Sequence, residues 1–443
     1  MAQGASLYSC PVVQHVVLHG DVSHTRVCRG ADALMQWQGL GEAMSFVTHQ
    51  GRYILVDAGE EGSALDDKLR QSVDVLLLTH NDRDHVGGAP ALLRSKQIRI
   101  REVWLPYDWY QLYSAGANLV DALRRGDTDL EGVARDARIQ VSEAIDILRE
   151  HLVNHEPIVE VIDAPFLPRR ILGQLDELFA SLESQAGAEV VGAAGNALRT
   201  SWIGGATATA KGVTSEGSRQ VRVTRARATV RVVDAVLWWG GPTWWFSIDH
   251  ASAYPIPTNL PWEWSGLRGE FTVVNAMPVR VSPLRPPPTA AAAYAELAAA
   301  YALTIQNRRA LVALGHTKLR CGHVLFASDS AFEFDQLAGA VPVVPWPMIG
   351  AAVGLHHGSA GEAHHYLYER LDGTVMARSG SRDTDTNCRF SGVAPERRGC
   401  TWCHADGWRR GGFDRHRDVV LEASPDHDWR VIAGACTDCP RFA

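Results

Sequence analysis

The feature that most constrains this chain is the stretch Thr79-His80-Asn81-Asp82-Arg83-Asp84-His85, set at the end of the apolar run Val73–Leu78. Apolar apart from Asp74 and bounded by polar residues, this run reads as a strand buried on both faces. Gly87, Gly88 and Pro90 then open a short helix within 86–93, and Val103–Pro106 reads as the end of another strand. Strand, polar loop, helix and strand is an α/β pattern. His80, Asp82, Asp84 and His85 crowd the C-terminal end of a strand, where α/β folds place their sites. One turn cannot aim all of them at a single ion, so the spacing suits two adjacent ions. The plain alternative is a polar surface loop with an Asx turn.

Composition narrows the rest. At about 150 residues per domain, 443 residues make two to three domains or one large domain with insertions. Apolar residues at 46% and charged residues at 21% are ordinary globular values, which excludes wholesale disorder and a fibrous chain. No run of about 18 apolar residues occurs, so no membrane span is expected. The start, Met1 to Val13, lacks a basic segment before an apolar one, so no secretory leader is expected. With a net charge of −7, the whole molecule does not attract nucleic acid, and any polyanion site must be local. Only Lys68, Lys96, Lys211 and Lys318 are lysines; with so much Ala and Gly, the arginine excess reads as coding bias.

Along the chain, 12–18 reads as a strand, and 43–47 and 53–56 read as a hairpin around His49-Gln50-Gly51. Residues 118–155 and 171–186 have helical spacing, and 204–217 reads as a loop. Residues 221–239 read as a pair of strands or one long one, with Trp238-Trp239 and Trp244-Trp245 around a Gly-Gly-Pro turn. An alanine-rich helix is expected over 290–303. Strands 310–314 and 323–327 should pair, with Asp329 just past the second, and 351–355 leads into His356-His357-Gly358-Ser359. This divides the chain into 1–110 and 305–385 as two halves of one catalytic domain, 111–304 as an insertion of helices then Arg/Trp-rich strands, and 386–443 as a tail.

His80-x-Asp82-x-Asp84-His85 with the glycines after it resembles the metallo-β-lactamase-fold hydrolases, whose usual motif is His-x-His-x-Asp-His. The Asp82 variant is similar to the hydrolase domain of ComEC-type DNA-uptake proteins. Gly39-Leu40-Gly41-Glu42-Ala43, the Asp57-Ala58-Gly59 turn, the Asn307 strand, Ser328-Asp329 and His356-His357-Gly358-Ser359 agree in order. The resemblance covers roughly 12–110 and 305–382. It implies an αββα sandwich with one or two divalent cations, Zn²⁺ or Mn²⁺ with Mg²⁺ also admissible, since Asp82 hardens its site. Carried over, His80 and Asp82 hold the first ion, and Asp84, His85 and His357 (or His356) the second, with Asp329 bridging. Asp84 can also orient the nucleophilic water; Asp84, His85 and His357 are the catalytic candidates, and Asn307 and Ser359 candidate substrate contacts. His316 lies in a turn and reads as a turn histidine.

Eight cysteines are too sparse for a disulfide scaffold. Cys400-x-x-Cys403 and Cys436-x-x-Cys439 fit a closed structural Zn²⁺ site, with Cys388 or His404 able to replace a ligand. The segment between the pairs is longer than the roughly 15–20 residues of a zinc ribbon. Cys10, Cys28 and Cys321 read as small buried apolar residues. The cysteine pattern points to a reducing, cytoplasmic compartment. Arg225, Arg227 and Arg231 share parity on a strand and with the tryptophans form the candidate nucleic-acid surface, Arg225 and Arg227 foremost. The reading is a metal-dependent phosphodiester hydrolase. The alternatives are an ester, lactone or amide hydrolase, and a metal-stabilised interaction subunit of a bacterial conflict or defence assembly, docked through the insertion or tail.

Overall fold

A computed structural model describes residues 14–18, 25–30, 33–38, 42–61, 65, 69–125, 130–150, 169–184, 187–194, 216–248, 267, 269–279, 281, 287, 289–304, 310–317, 322–330, 332, 344–353, 367–378, 389–401, 418–424 and 427–436. Its strands are β1 Gln14–Leu18, β2 Thr25–Gly30, β3 Ala33–Gln38, β4 Met44–Val47, β5 Tyr53–Val56, β6 Ser72–Leu77, β7 Arg99–Pro106, β8 Thr243–Ser247, β9 Phe271–Val273, β10 Met277–Val279, β11 Ala313–Gly315, β12 His323–Phe326, β13 Ile349–Val353, β14 Val375–Arg378, β15 Arg398–Cys400, β16 Val419–Ser424 and β17 His427–Ala433. The helices are α1 Arg83–Val86, α2 Ala89–Arg94, α3 Tyr107–Arg125, α4 Leu130–Glu150, α5 Arg169–Leu182, α6 Glu216–Trp239 and α7 Ala290–Thr304.

Among the described residues the strands form a nine-stranded sheet, β10-β8-β7-β6-β5-β4-β1-β16-β17, and a six-stranded sheet, β15-β14-β13-β12-β11-β9, beside the β2–β3 hairpin. Period-two alternation assigns each face. Ile54, Val56, Val75 and Leu77 turn inward with Trp104 and Trp244, to meet Phe326, Val353 and Ala377 of the other sheet. Tyr53, Leu55, Leu76 and Trp245 turn outward into a second core formed with the helices. Phe332, Trp346 and Phe390 cover the six-stranded sheet's other face. This is the α/β sandwich that the sequence led one to expect. None of its described helices is long and apolar enough to cross a membrane.

The expected β4–β5 hairpin and β11–β12 pairing are present and antiparallel. Segment 111–304 contributes β8 to the nine-stranded sheet, parallel to β7, and β9 to the other sheet. From the last segment, β15 joins β14, and β16 joins β1.

The reading of 221–239 as strands is corrected: this segment lies in helix α6. Its β-branched residues and alternating arginines imitate period two. The buried positions Ala226, Val230, Val233 and Val236 instead recur at helical spacing. Gly240, at φ +68°, ends the helix, its N–H donating to the Val236 carbonyl at 3.0 Å. Trp244 and Trp245 are core residues of β8, not a stacking platform.

Helix α7 is buried from Ala293 to Thr304, and this closure traps Glu296 at 1% exposure with, among the described residues, no hydrogen bond to either carboxylate oxygen. Burial pushes its carboxyl up to about 7 from 4.5. A raised carboxylate pKa favours the fold only while the group is protonated, so this residue costs stability as pH rises from about 4.5 to about 7, and the cost is complete above that. Glu296→Gln is expected to raise unfolding free energy at pH 8 by about 1–3 kcal/mol and to leave it nearly unchanged at pH 4. Denaturant titrations at both pH values check this.

Candidate metal centre

The site is built where the two sheets end side by side. Asp57 follows β5, Thr79 and His80 follow β6, and Ser328 and Asp329 follow β12, while Glu42 precedes β4. Asp57 and Ser328 take positive φ, +59° and +49°, a conformation non-glycine residues adopt only when surroundings hold them there. The Asp57 peptide N–H donates to Leu77 O at 2.8 Å, and that of Ala58 to His85 O at 2.6 Å. Gly88 is required by contact: a Cβ there would lie 2.2 Å from the Ala58 carbonyl oxygen. The Gly-Gly pair thus lets the helical turn carrying Asp82 and His85 press onto the Asp57 turn.

Two imidazoles face each other across the centre, His80 and His85, with ring centroids 4.1 Å apart. Each is held from behind. His85 Nδ1 lies 2.8 Å from Asp57 Oδ2, and a carboxylate only accepts, so Nδ1 carries the proton. Asp57 also accepts from the Thr79 peptide N–H at 2.8 Å and from the Thr79 hydroxyl. Thr79 spends its one hydroxyl proton there, so toward His80 Nδ1, 3.0 Å away, it is an acceptor. Ser328 Oγ joins them, 2.7 Å from Thr79 Oγ1 and 3.2 Å from His80 Nδ1.

Both Nε2 atoms therefore point forward, into carboxylates. His85 Nε2 stands 3.2 Å from Glu42 Oε2 and 3.9 Å from Asp329 Oδ1. His80 Nε2 stands 3.3 Å from Asp329 Oδ2 and 3.8 Å from Asp82 Oδ2. His80 is buried, and its Nε2 meets these carboxylates as ion pairs. Burial works against charge on His80, but Asp329 and Asp82 outweigh it and raise its pKa well above 6.5. Burial and His80 oppose charge on His85, yet Asp57 and Glu42 hold it up to about 9. Burial pushes the Asp82 carboxyl up, but His80 and Arg225 outweigh it and hold the group below the usual carboxylate range. Glu42, Asp57 and Asp329 are each 5% exposed or less. So many buried carboxylates need positive charge.

The donor set fits a divalent cation. Asp57–His80–His85, Glu42–His85–Asp329 and His80–Asp82–Asp329 each bring three ligand atoms within 4.8 Å of one another. An imidazole with Nδ1 bonded behind and Nε2 aimed forward is how metal-binding histidines are usually prepared.

Of the residues singled out in the sequence, His80, Asp82, His85 and Asp329 come together. Asp84 lies on the first turn of α1, its backbone carbonyl accepting from Glu42 N–H at 2.8 Å, and its carboxylate is not in those three groups. Asn307, His356, His357 and Ser359 fall outside the described residues. His316 sits at the far end of β11, bonded to Thr272 Oγ1 at 3.1 Å. Arg225 reaches the centre from α6: Nη2 donates to Asp82 Oδ2 at 2.9 Å and Nε contacts Oδ1. Arg227, two residues on, is turned about 200° away, so the shared strand face expected for these arginines is corrected. The sequence reading passed over Glu42 as a ligand and Thr79 as a support; the signal for Glu42 was an acid after Gly-x-Gly at the mouth of a strand.

Residues 38–143 match the family model of the metallo-beta-lactamase superfamily. Over that segment the chain is similar to the domain of that superfamily. The match spans Glu42, Asp57, His80, Asp82 and His85; Arg225 and Asp329 lie beyond it. A search of the curated proteins finds no match. Members of the superfamily are mostly hydrolases, and the fold implies a divalent metal that these His/Asp groups can hold.

Thr79→Val keeps the shape of the side chain and removes the hydroxyl between Asp57, His80 and Ser328. It is expected to weaken metal binding about 10–100-fold and to cost about 1–3 kcal/mol of stability. Metal titration of the chelator-stripped protein and chemical denaturation check the two effects.

Proposed function

We propose that this chain is a metal-dependent hydrolase of phosphodiester bonds, with a nucleic-acid strand as the substrate class. The observation that carries this reading is the pair of imidazoles aimed at Asp82, Asp329 and Glu42 with the Arg225 guanidinium beside them. Carboxylate-rich donor sets suit hard cations, Mn²⁺ or Mg²⁺ ahead of Zn²⁺, and Asp82 supports the ComEC-like reading. A bound cation there would supply Lewis-acid polarisation of the phosphoryl group and acidify the attacking water. The chain's own part is positioning. Asp57, Thr79 and Ser328 hold the imidazoles, Asp329 stands between them, and Arg225 places a fixed positive charge where a phosphoryl oxygen would approach. An ester or lactone offers that guanidinium no comparable negative charge.

The purified chain, stripped by chelator and reloaded with Mn²⁺, is expected to cleave single-stranded DNA or RNA and an aryl phosphodiester. It is expected to leave aryl esters and lactones intact. Asp329→Asn should lower turnover about a hundredfold or more. Ester cleavage without phosphodiester cleavage would refute the substrate class.

We also propose that Cys400, Cys403, Cys436 and Cys439 hold one structural Zn²⁺. Cys403 and Cys439 lie outside the described residues. In support, Gly399 bridges Ala435 in antiparallel sense, so Cys400 and Cys436 flank that pair on its opposite face. Both are buried in one apolar cluster. The Cys436 N–H donates to Arg398 O at 2.8 Å and the Cys400 N–H to Gly434 O at 3.1 Å. Cys436→Ser is expected to lose about one zinc per chain and the amide-exchange protection of β15 to β17. Elemental analysis and hydrogen exchange check this.

A further inference from the structure

Two of the ligand groups compete for Asp329. One is Glu42–His85–Asp329 and the other His80–Asp82–Asp329; both offer one imidazole and two carboxylates. The two oxygens of Asp329 divide between them, Oδ1 toward His85 and Oδ2 toward His80. Donor chemistry alone therefore does not rank them.

Arg225 does. Its Nε and Nη2 lie along both oxygens of Asp82, the fork geometry of a bidentate pair. Those oxygens are then engaged by a charge that guanidinium does not lose in proteins. A divalent ion beside Asp82 would meet that charge at close range, well inside a Debye length and in a partly buried site. Helix α6 fixes the arrangement. Arg222 forks onto Glu183 three residues earlier, and Thr229, four residues later, accepts from Asn81 Nδ2 at 3.1 Å. Positions 222, 225 and 229 share one face of the helix, so Arg225 is anchored on both sides. The Glu42 group lies on the other side of Asp329, with Glu42 and His85 fully buried.

Resting on the hydrolase reading, we propose that the centre holds a single tightly bound divalent cation at Glu42, His85 and Asp329, and that Arg225 serves as the second positive charge at Asp82. Glu42 is then a ligand, and Arg225 a positioning residue that keeps the His80–Asp82 side free of a second ion. Buried His80 turns its Nε2 to the same Asp329 carboxylate, 3.3 Å away, and completes the wall opposite Glu42.

The test uses the full chain, stripped by chelator and titrated with Mn²⁺, which the tail's soft thiolates disfavour. Equilibrium dialysis counts bound ions, and electron paramagnetic resonance separates an isolated Mn²⁺ from an exchange-coupled pair. The wild-type chain is expected to bind one Mn²⁺ tightly with an isolated-ion spectrum. Glu42→Gln should weaken that binding more than about tenfold, since even an outer partner is worth that much. Arg225→Met should admit a second tight ion and show a coupled spectrum, and this variant decides the matter if Glu42→Gln does not fold by circular dichroism. Wild-type protein with two tight, coupled ions overturns the proposal, as does folded Glu42→Gln with unchanged affinity, or Arg225→Met that still binds one. A wild-type chain that binds no ion overturns the hydrolase reading itself, and this proposal with it.

Discussion

Buried negative charge governs this molecule. Buried Glu42, Asp57 and Asp329 converge with partly exposed Asp82 at the ends of β5, β6 and β12 and the start of β4. Carboxylates so placed repel one another in a medium that screens poorly. The chain answers with hydrogen bonds at the rear, imidazoles in the middle and one guanidinium at the side. Each answer is partial, and the fit of the cluster to a divalent cation follows from what remains.

Position and rigidity come from different parts of the fold. The sheets supply position, because parallel β5 and β6 release Asp57 and His80 side by side and β12 delivers Asp329 from the facing sheet. Rigidity comes from the hydroxyl relay Ser328–Thr79–Asp57, which ties the two sheets and fixes both ring orientations together. Positive φ at Asp57 and Ser328 is the local strain that this relay sustains. The helical layer adds a third element, since Arg225 arrives from α6, far along the chain from the family-matched segment.

That division bears on function. The matched segment carries Glu42, Asp57, His80, Asp82 and His85, and such a fold supports many chemistries. Arg225 joins Asp82 from outside that segment, and within it Glu42, just before β4, faces His85. A donor set this rich in carboxylates suits harder cations than a histidine-rich one would.

The sequence alone determined the α/β class, the buried strand β6, the hairpins and the ligand-dense loop after it. Those features are local: alternation, turn residues and ligands a few positions apart carry their own signal. It misread 221–239, because alternating arginines and β-branched residues satisfy period two locally while packing against other helices selects period 3.6. Only the tertiary structure decided that Arg225 meets Asp82, that Thr79 and Ser328 share a hydrogen bond across sheets, and that Glu42 faces His85. These contacts join residues tens to hundreds of positions apart, and no local pattern encodes which side chains long-range strand and helix packing will bring within 4 Å.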